Sequence, residues 1–267
     1  MPAIALLGAT GRMGRALVHA VAERPDMKIS GALASAASRH LGSDAGTAAG
    51  AAALGVTITS DIGAALQAAD VAIDFALPGN LSARAQAVVA ARCNWVLGAT
   101  GMDEAQRAAV NAASQRVAVI ASPNMSIGVQ VLLRLADAAA RGLPPDFDIE
   151  VFEAHHRDKI DAPSGTARRL GEVLAEARGT QLAAVGEFGR ATAPGPRNVG
   201  SIGFSVARGG DIVGEHRVTF AGRGEQLVLE HRATDRMAFA RGAVAAAAWL
   251  AGRAPGLYQM SDIVFMK

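Results

Sequence analysis

The fold is decided by the opening stretch Ala3-Ile-Ala-Leu-Leu-Gly8-Ala-Thr-Gly11-Arg-Met-Gly14. Its five apolar residues predict a short buried strand, and the amphipathic run that follows predicts a helix. Glycine permits a tight turn between the two and lets a pyrophosphate approach the backbone at the helix N-terminus. A structural turn would need glycines too, but these open a series of alternating strands and helices. The stretch therefore predicts a dinucleotide site at Gly8, Ala9, Thr10, Gly11, Arg12 and Met13.

The same alternation continues to about residue 126 and then changes. Apolar runs at Lys28–Leu33, Val71–Ala76 and Val117–Ala121 alternate with alanine-rich runs of helical length. This predicts an α/β fold with a Rossmann-like, doubly wound parallel sheet. Beyond a long helix at Ser126–Arg141, strand-like runs follow one another with little helix between them, which predicts a second α+β domain with an open mixed sheet. We expect a dinucleotide-binding domain at 1–126, to which 236–267 returns, and a substrate-binding and oligomerisation domain at 127–235.

Composition narrows the class of protein. The chain has 267 residues, 51% of them hydrophobic, and a net charge of +2, which is typical of a globular protein. It has no block of Lys and Arg and no apolar run of about 18 residues, so we expect neither a nucleic-acid partner nor a membrane span. One cysteine, Cys93, is consistent with a reducing compartment. We expect a cytoplasmic protein.

The loop after the second predicted strand indicates which dinucleotide binds. An acid that would hold the ribose hydroxyls is missing, and the loop instead has Ser35 and Arg39, followed by His40. Fewer negative and more positive charges favour a 2′-phosphate, so NADPH is the expected cofactor, with NADH as a second one. Loop solvation alone would also explain these residues.

Two more loops follow predicted parallel strands, where doubly wound folds bind ligands. We expect them to contact the cofactor, although ordinary loop chemistry would have the same composition. Their residues are Gly98, Ala99 and Thr100, and Ser122, Pro123, Asn124 and Met125.

The densest chemistry lies in Glu153-Ala-His-His-Arg-Asp-Lys-Ile-Asp-Ala-Pro-Ser-Gly-Thr166. Adjacent histidines on a strand point to opposite sides, and neither a cysteine nor a third histidine completes a zinc set, so we expect no metal. A histidine is suited to proton transfer near neutral pH. Ser164 can cap a helix, with Gly165 and Thr166 offering N–H groups to an anion, although a plain cap would look the same. With the glycine turn, the segment suggests hydride transfer to a carboxylate-bearing substrate.

This histidine segment closely resembles the signature of the 4-hydroxy-tetrahydrodipicolinate reductase family, formerly dihydrodipicolinate reductase, of lysine and diaminopimelate biosynthesis. The resemblance extends over nearly the whole chain and includes Asp74-Phe75, Asn124-Met-Ser-Ile-Gly128 and Arg208-Gly-Gly-Asp-Ile-Val-Gly-Glu-His216. It implies NAD(P)H-dependent reduction of a small dicarboxylate by a homotetramer associating through the second domain's sheet. It also implies that His155 donates a proton, that Lys159 serves acid chemistry and contacts a carboxylate, and that the substrate is bound by His156, Ser164, Gly165 and Thr166.

One departure and two alternatives remain. Many members of the family have an acid followed by Arg where this chain has Ser35-Ala36, which strengthens the expectation of NADPH. The first alternative is another two-domain dehydrogenase of amino-acid metabolism, such as a homoserine- or aspartate-type enzyme. The second is a non-enzymatic redox sensor that binds NAD(P)H. A sensor needs no acid beside the nicotinamide, so His155 and Lys159 argue against it.

Overall fold

The computed structural model describes residues 1–98, 101–190 and 195–265. The chain forms two compact units. Unit 1 contains Met1–Ile127 together with the chain from Arg236 onward, and unit 2 contains Gly128–Asp235. Unit 1 is therefore built from two separate stretches of sequence, whereas unit 2 is continuous.

Unit 1 contains a sheet whose strands are all parallel. With labels in chain order, its strands are β1 (Ala3–Leu7), β2 (Lys28–Leu33), β3 (Ile58–Thr59), β4 (Val71–Asp74), β5 (Asn94–Leu97), β6 (Ala118–Ala121) and β12 (Gly256–Tyr258). Their order is β12-β6-β5-β4-β1-β2-β3, so the chain winds outward from β1 in both directions. This confirms the predicted doubly wound sheet.

Helices cover both faces of this sheet. They are α1 (Arg12–Ala22), α2 (Ala45–Ala49), α3 (Ile62–Leu66), α4 (Leu81–Ala90), α5 (Glu104–Ser114), α9 (Met237–Leu250) and α10 (Met260–Phe265). Successive residues of a strand point to opposite faces. Ile4 accordingly packs in the core on the side of α1 and α9, and Ala5 in the core on the side of α4 and α5. Burial on both faces explains why β1 is apolar throughout.

Unit 2 contains an open sheet of mixed direction, as predicted. Its elements are α6 (Ile127–Gly142), β7 (Asp148–His155), α7 (Gly165–Ala177), α8 (Leu182–Val185), β8 (Gly186–Glu187), β9 (Ile202–Arg208), β10 (Gly214–Ala221) and β11 (Gln226–Ala233). The order is β11-β10-β7-β9-β8, with β10 antiparallel to both neighbours and β7 parallel to β9. Val151, Val218 and Phe220 on one face pack against Leu132 and Leu170 of the long helices.

No helix in residues 1–98, 101–190 and 195–265 is both long and apolar enough to cross a membrane.

Candidate functional site

The glycine turn of unit 1 is a tightly hydrogen-bonded backbone turn at the start of α1. Gly8 adopts a positive φ of 86°, and the N–H groups of Gly8 and Ala9 both donate to the Leu33 carbonyl oxygen, at 3.0 and 2.9 Å. A side chain at Gly14 would overlap the carbonyl oxygens of Gly8 and Ala9. The N-cap of α1 is Gly11, which has no side chain to occupy the first-turn N–H groups. The turn is therefore shaped to accept an anion on backbone donors.

The other predicted cofactor loops follow strands of the same sheet. Because β1, β4, β5 and β6 are parallel neighbours, Gly8, Phe75, Gly98 and Ser122 follow them along one edge. The backbone links this edge in a ladder, with N–H groups of Phe75, Gly98 and Ser122 donating to Leu7, Asp74 and Leu97 at 2.9–3.0 Å. The structure thus brings Gly98 and Ser122, the first residues of the two later loops, to the same edge of the sheet as the glycine turn.

Individual residues of these loops differ in exposure. Thr10 and Met13 are half-buried, Arg12 and Pro123 are exposed, and Met125 is buried in the core of unit 1. The Ser122 hydroxyl donates to the Asn124 carbonyl oxygen at 2.9 Å, and the Asn124 side chain accepts from the Ser126 N–H at 2.9 Å. The predicted contacts at Ala99 and Thr100 lie outside the described residues.

The loop after β2 presents its predicted cofactor-binding side chains to solvent. Ser35 and Arg39 are exposed. The Ser35 hydroxyl accepts from the Ala37 N–H at 3.3 Å, and the Arg39 Nε donates to His40 Nε2 at 3.4 Å. Both interactions are long and solvent-accessible, so these side chains can reorient towards a ligand at little cost.

A buried ion pair between Asp74 and Arg84 stabilises the end of β4 at this edge of the sheet. The Asp74 carboxylate accepts from Arg84 Nε at 2.7 Å, from Trp95 Nε1 at 3.3 Å and from the Ala76 N–H at 2.9 Å. Burial raises the pKa of Asp74, while Arg84 acts in the opposite direction. This network fixes the end of β4, where the chain turns towards Phe75.

In unit 2, strand register assembles a polar cluster on the helix-facing side of the sheet. Glu153 and His155 are two residues apart on β7 and therefore point to the same face. Register places His216 of β10 opposite Glu153 and Arg208 of β9 opposite His155. Three strands thus contribute to one cluster, made of Glu153, His155, Arg208, His216 and Ser164.

Glu153 is the hub of this cluster. Its Oε2 is 2.6 Å from His155 Nδ1 and accepts from Arg208 Nη1 at 2.8 Å, while its Oε1 accepts from Arg208 Nη2 at 2.8 Å and the Ser164 N–H at 3.0 Å. Burial alone would raise the pKa of Glu153, but the hydrogen bonds from His155 and Arg208 outweigh it and lower the pKa to about 2. The Glu153 side chain, only 1% exposed, is therefore a buried carboxylate at neutral pH.

His216 lies next to this hub and is neutral. Burial, with a smaller contribution from His155, lowers the pKa of His216 to about 3. Its Nε2 lies 3.1 Å from the Ser164 hydroxyl, and its buried Nδ1 has no hydrogen-bond partner within the described ranges. A buried lone pair without a partner costs less than a buried N–H without one. We therefore assign the proton to Nε2, which donates to Ser164.

Ser164 connects the cluster to the start of α7. Its hydroxyl accepts from the Ala167 N–H at 3.2 Å and caps the helix, as predicted from its position in the sequence. With His216 also donating to this oxygen, the hydroxyl hydrogen can serve as a donor to a ligand. Gly165 is exposed and Thr166 half-buried in the first turn.

The remaining predicted site residues lie in the loop after β7. Lys159 donates to Asp161 at 2.7 Å and is partly exposed. His156 is half-buried, and its carbonyl oxygen accepts from the Lys159 N–H at 3.1 Å. Among the described residues, no three His, Cys, Asp or Glu side chains are grouped so as to hold a metal ion.

Sequence reasoning assigned no role to Glu153, Arg208 or His216. Alternation along a strand was a sufficient signal for Glu153, because residues 153 and 155 must share a face. Arg208 and His216 are 53 and 61 residues from His155, and only the pairing of β7 with β9 and β10 brings them to it.

Comparison with known proteins connects both units to one family. Residues 2–125 match the family model described as dihydrodipicolinate reductase, N-terminus, and residues 128–264 match the model for its C-terminus. A Thiobacillus denitrificans protein named 4-hydroxy-tetrahydrodipicolinate reductase is 48% identical, over 99% of this chain and 98% of its own length. A protein of the same name from Anaeromyxobacter dehalogenans is 47% identical over 100% of this chain and 99% of its own length.

Solved structures show the same fold. The dipicolinate-bound dihydrodipicolinate reductase from Paenisporosarcina sp. TG-14 matches with a TM-score of 0.76 at 23% identity, over 97% of each chain. An amine dehydrogenase from Mycobacterium smegmatis matches with a TM-score of 0.60 at 13% identity, over 97% of this chain and 94% of its own. These two likenesses concern the fold alone. The family models and the near-full-length relatives establish that this chain belongs to the dihydrodipicolinate reductase family.

Proposed function

We propose that this protein reduces 4-hydroxy-tetrahydrodipicolinate to tetrahydrodipicolinate in lysine and diaminopimelate biosynthesis. The observation that carries the proposal is His155 paired with the buried Glu153 carboxylate beside the start of α7, in a chain 48% identical to a reductase of that name. In this reaction one hydride and one proton enter the substrate and one water leaves. The chain must therefore bind a hydride source, hold a dicarboxylate and deliver a proton.

The turn at the start of α1 fits a dinucleotide. When bound, the reduced nicotinamide would supply the hydride. Gly8 and Gly14 let the turn pack closely on neighbouring backbone atoms, and Gly11 puts no side chain over the N-terminus of α1, where a pyrophosphate can approach the first-turn N–H groups. The loops at Gly98 and Ser122 follow neighbouring strands along the same edge. We propose NADPH as the preferred cofactor, because no acid follows β2 to repel a 2′-phosphate and the exposed Arg39 can reorient to meet one. NADH is the expected second cofactor.

The start of α7 supplies donors for a carboxylate. Ser164 offers its hydroxyl hydrogen, and Gly165 and Thr166 form the first turn of α7, where the positive end of the helix dipole attracts a carboxylate. Lys159 adds an ammonium that exchanges Asp161 for a substrate carboxylate, and His156 lies in the same loop. The dipicolinate bound to the Paenisporosarcina protein supports a small dicarboxylate as the ligand.

His155 is the proposed proton donor. Its side chain is 12% exposed, so it has access to a ligand, while its Nδ1 is anchored on Glu153. Loss of the 4-hydroxyl as water leaves a conjugated C=C–C=N unit, and the electrons that enter this unit with the hydride require a proton. Histidine provides one efficiently because its ordinary pKa lies near 6.5.

An absorbance assay tests the proposal. Purified protein mixed with freshly made substrate should oxidise NADPH, and more efficiently than NADH. His155→Gln should lower kcat by about 100-fold or more, the scale of general acid catalysis, with the NADPH Kd nearly unchanged. His19→Gln, an exposed histidine of α1, is the matched control and should behave as wild type.

The same assay separates the alternatives. NADPH binding without turnover would favour a redox sensor, and turnover with homoserine or aspartate semialdehyde instead would favour another amino-acid dehydrogenase. An unchanged kcat in His155→Gln would remove that residue from the mechanism.

We also propose that the protein is a cytoplasmic homotetramer associated through the sheet of unit 2. Helices α6 and α7 cover one face of that sheet, whereas Val228 is 46% exposed on β11. Alternation places Val228 on the face opposite Leu229, which packs towards the core.

A further inference from the structure

We propose that Glu153, clamped by Arg208, is the positioning residue that fixes the His155 ring with its Nδ1–H towards the carboxylate and its Nε2 towards the substrate. This inference rests on the proposed function, because it assigns an orientation to the proton donor of that reaction. Glu153 acts through His155, because it contacts the Nδ1 atom of the ring and not the Nε2 atom that faces the substrate.

The hydrogen bonds of Glu153 determine the orientation of the ring. The carboxylate receives four hydrogen bonds, from Arg208 twice, from the Ser164 N–H and from His155. An ionised carboxylate can only accept hydrogen bonds. At 2.6 Å the His155 Nδ1 must therefore carry a hydrogen, whether the ring is charged or neutral.

The space around the ring supports the same orientation. Gly214 of β10 lies beside His155, and a Cβ at that position would come within 3.1 Å of His155 Nε2. A glycine at this point keeps the space next to Nε2 open. The nitrogen that is not held by Glu153 is therefore the one with room for a substrate atom.

This arrangement defines the proton step. The charged ring carries hydrogens on both nitrogens, and the Nε2–H bond breaks as the proton passes to the substrate. The electron pair of that bond stays on Nε2, and the neutral ring keeps its Nδ1–H on Glu153. Solvent restores the Nε2 proton after product release, so the ring does not need to rotate between turnovers.

The neighbouring charged groups do not compete for this role. Arg208 on β9 is committed to Glu153 through both terminal nitrogens. His216 on β10 contacts His155 edge to face, with ring centroids 5.2 Å apart, and is neutral near pH 7. Lys159, in the loop after β7, is paired with Asp161. Glu153 is thus the negative charge in direct contact with the ring.

Histidine tautomers measured by NMR test the inference without substrate. With ¹⁵N-labelled histidine, the neutral His155 ring of the wild-type protein should be the Nδ1–H tautomer, assigned by the loss of its signals in His155→Gln. In Glu153→Gln the Nε2–H form should appear as well, because an amide can donate as well as accept. A wild-type ring in the Nε2–H form would overturn the proposal.

Kinetics provide the second measurement. Glu153→Gln should lower kcat by about 10-fold to 100-fold with KM changed less, and should move the basic limb of the kcat–pH profile to lower pH, because the charged ring loses its anionic partner. Glu150→Gln makes the same change on the opposite face of β7 and should leave the profile in place. A wild-type profile in Glu153→Gln would contradict the positioning role.

A third variant guards against misfolding. Glu153→Gln leaves the half-buried Arg208 without its carboxylate partner, so Glu153→Gln/Arg208→Gln removes both charges of the pair together. It should fold and show the same mixed tautomers and the same shifted limb. If the wild-type protein has the Nδ1–H ring but does not turn over the substrate, the proposed function fails while the orientation of His155 stands.

Discussion

At His216, burial controls the charge of a side chain that ordinarily titrates near pH 6.5. Its folded pKa of about 3 means that the native state binds a proton less readily than the unfolded chain does. The contribution of the neutral His216 to the free energy of unfolding is therefore fully present above about pH 6.5. It is lost progressively as the pH falls towards 3, because the unfolded chain takes up a proton that the native state does not.

This gives a prediction about acid sensitivity. Between pH 7 and pH 5 the free energy of unfolding of the wild-type protein should fall by about 2 kcal/mol through His216 alone. His216→Gln should remove that part of the decrease, whereas His19→Gln should retain it. Urea denaturation of the three proteins at both pH values measures the difference. Equal pH dependence in His216→Gln and wild type would show that His216 is not the responsible group.

At the scale of elements, the joint between β1 and α1 separates stability from cofactor binding. Gly14→Ala should lower the free energy of unfolding by about 2 kcal/mol or more, because the new methyl group overlaps the backbone carbonyls of Gly8 and Ala9, which cannot move aside. Gly11→Ala should cost less than about 1 kcal/mol, because its Cβ comes no closer than 3.4 Å to the Gly8 oxygen.

Binding should follow a different order. Gly11 is exposed at the N-cap, so its added methyl group should weaken NADPH binding although the protein stays folded. Thermal unfolding and calorimetry with NADPH together check both variants. A Gly11→Ala protein that binds NADPH as wild type does would place the pyrophosphate elsewhere.

The local sequence pattern was sufficient to predict the longer strands and helices, but it was insufficient to predict the short ones. The apolar run at β1 and the alanine-rich run at α9 can each be recognised from composition and length. The two-residue strand β3 and the short helix α2 have no such signal. Asp44 instead ties α2 to the segment that leads into β3, because its carboxylate accepts from the N–H groups of Gly46, Thr47, Leu54 and Val56.

The candidate site, too, could be predicted only where its residues lie close together in the sequence. Its histidines and the Ser164 cap lie within one short segment and could be identified from residue type and spacing. The strand-like run at Asp211–Phe220 predicts a strand from Asp211, but β10 begins at Gly214. The preceding turn has Gly210 at a positive φ, and the Gly210 carbonyl oxygen accepts from the Arg157 N–H. Antiparallel pairing with β7 brings Gly214 beside His155, which no local pattern indicates.

At the scale of the whole molecule, the exposed Val228 of the second sheet yields a prediction about assembly. Light scattering should give a mass about four times the 27.2 kDa of one chain. Val228→Glu should reduce that mass, because a carboxylate would be buried without a partner in the interface. Leu257→Glu is the matched control, since Leu257 is 52% exposed on an edge strand of the other sheet. A wild-type mass in Val228→Glu would exclude Val228 from the interface.

The divided sequence of unit 1 has a consequence for synthesis on the ribosome. Val244, Ala247 and Leu250 of α9 belong to the same core as Ile4 and Leu17, yet they are translated only after all of unit 2. During elongation the second unit is thus the first to have its full complement of residues. Until α9 is synthesised, the N-terminal strands keep an apolar surface exposed. During this time the nascent chain is most prone to aggregation and most dependent on a chaperone.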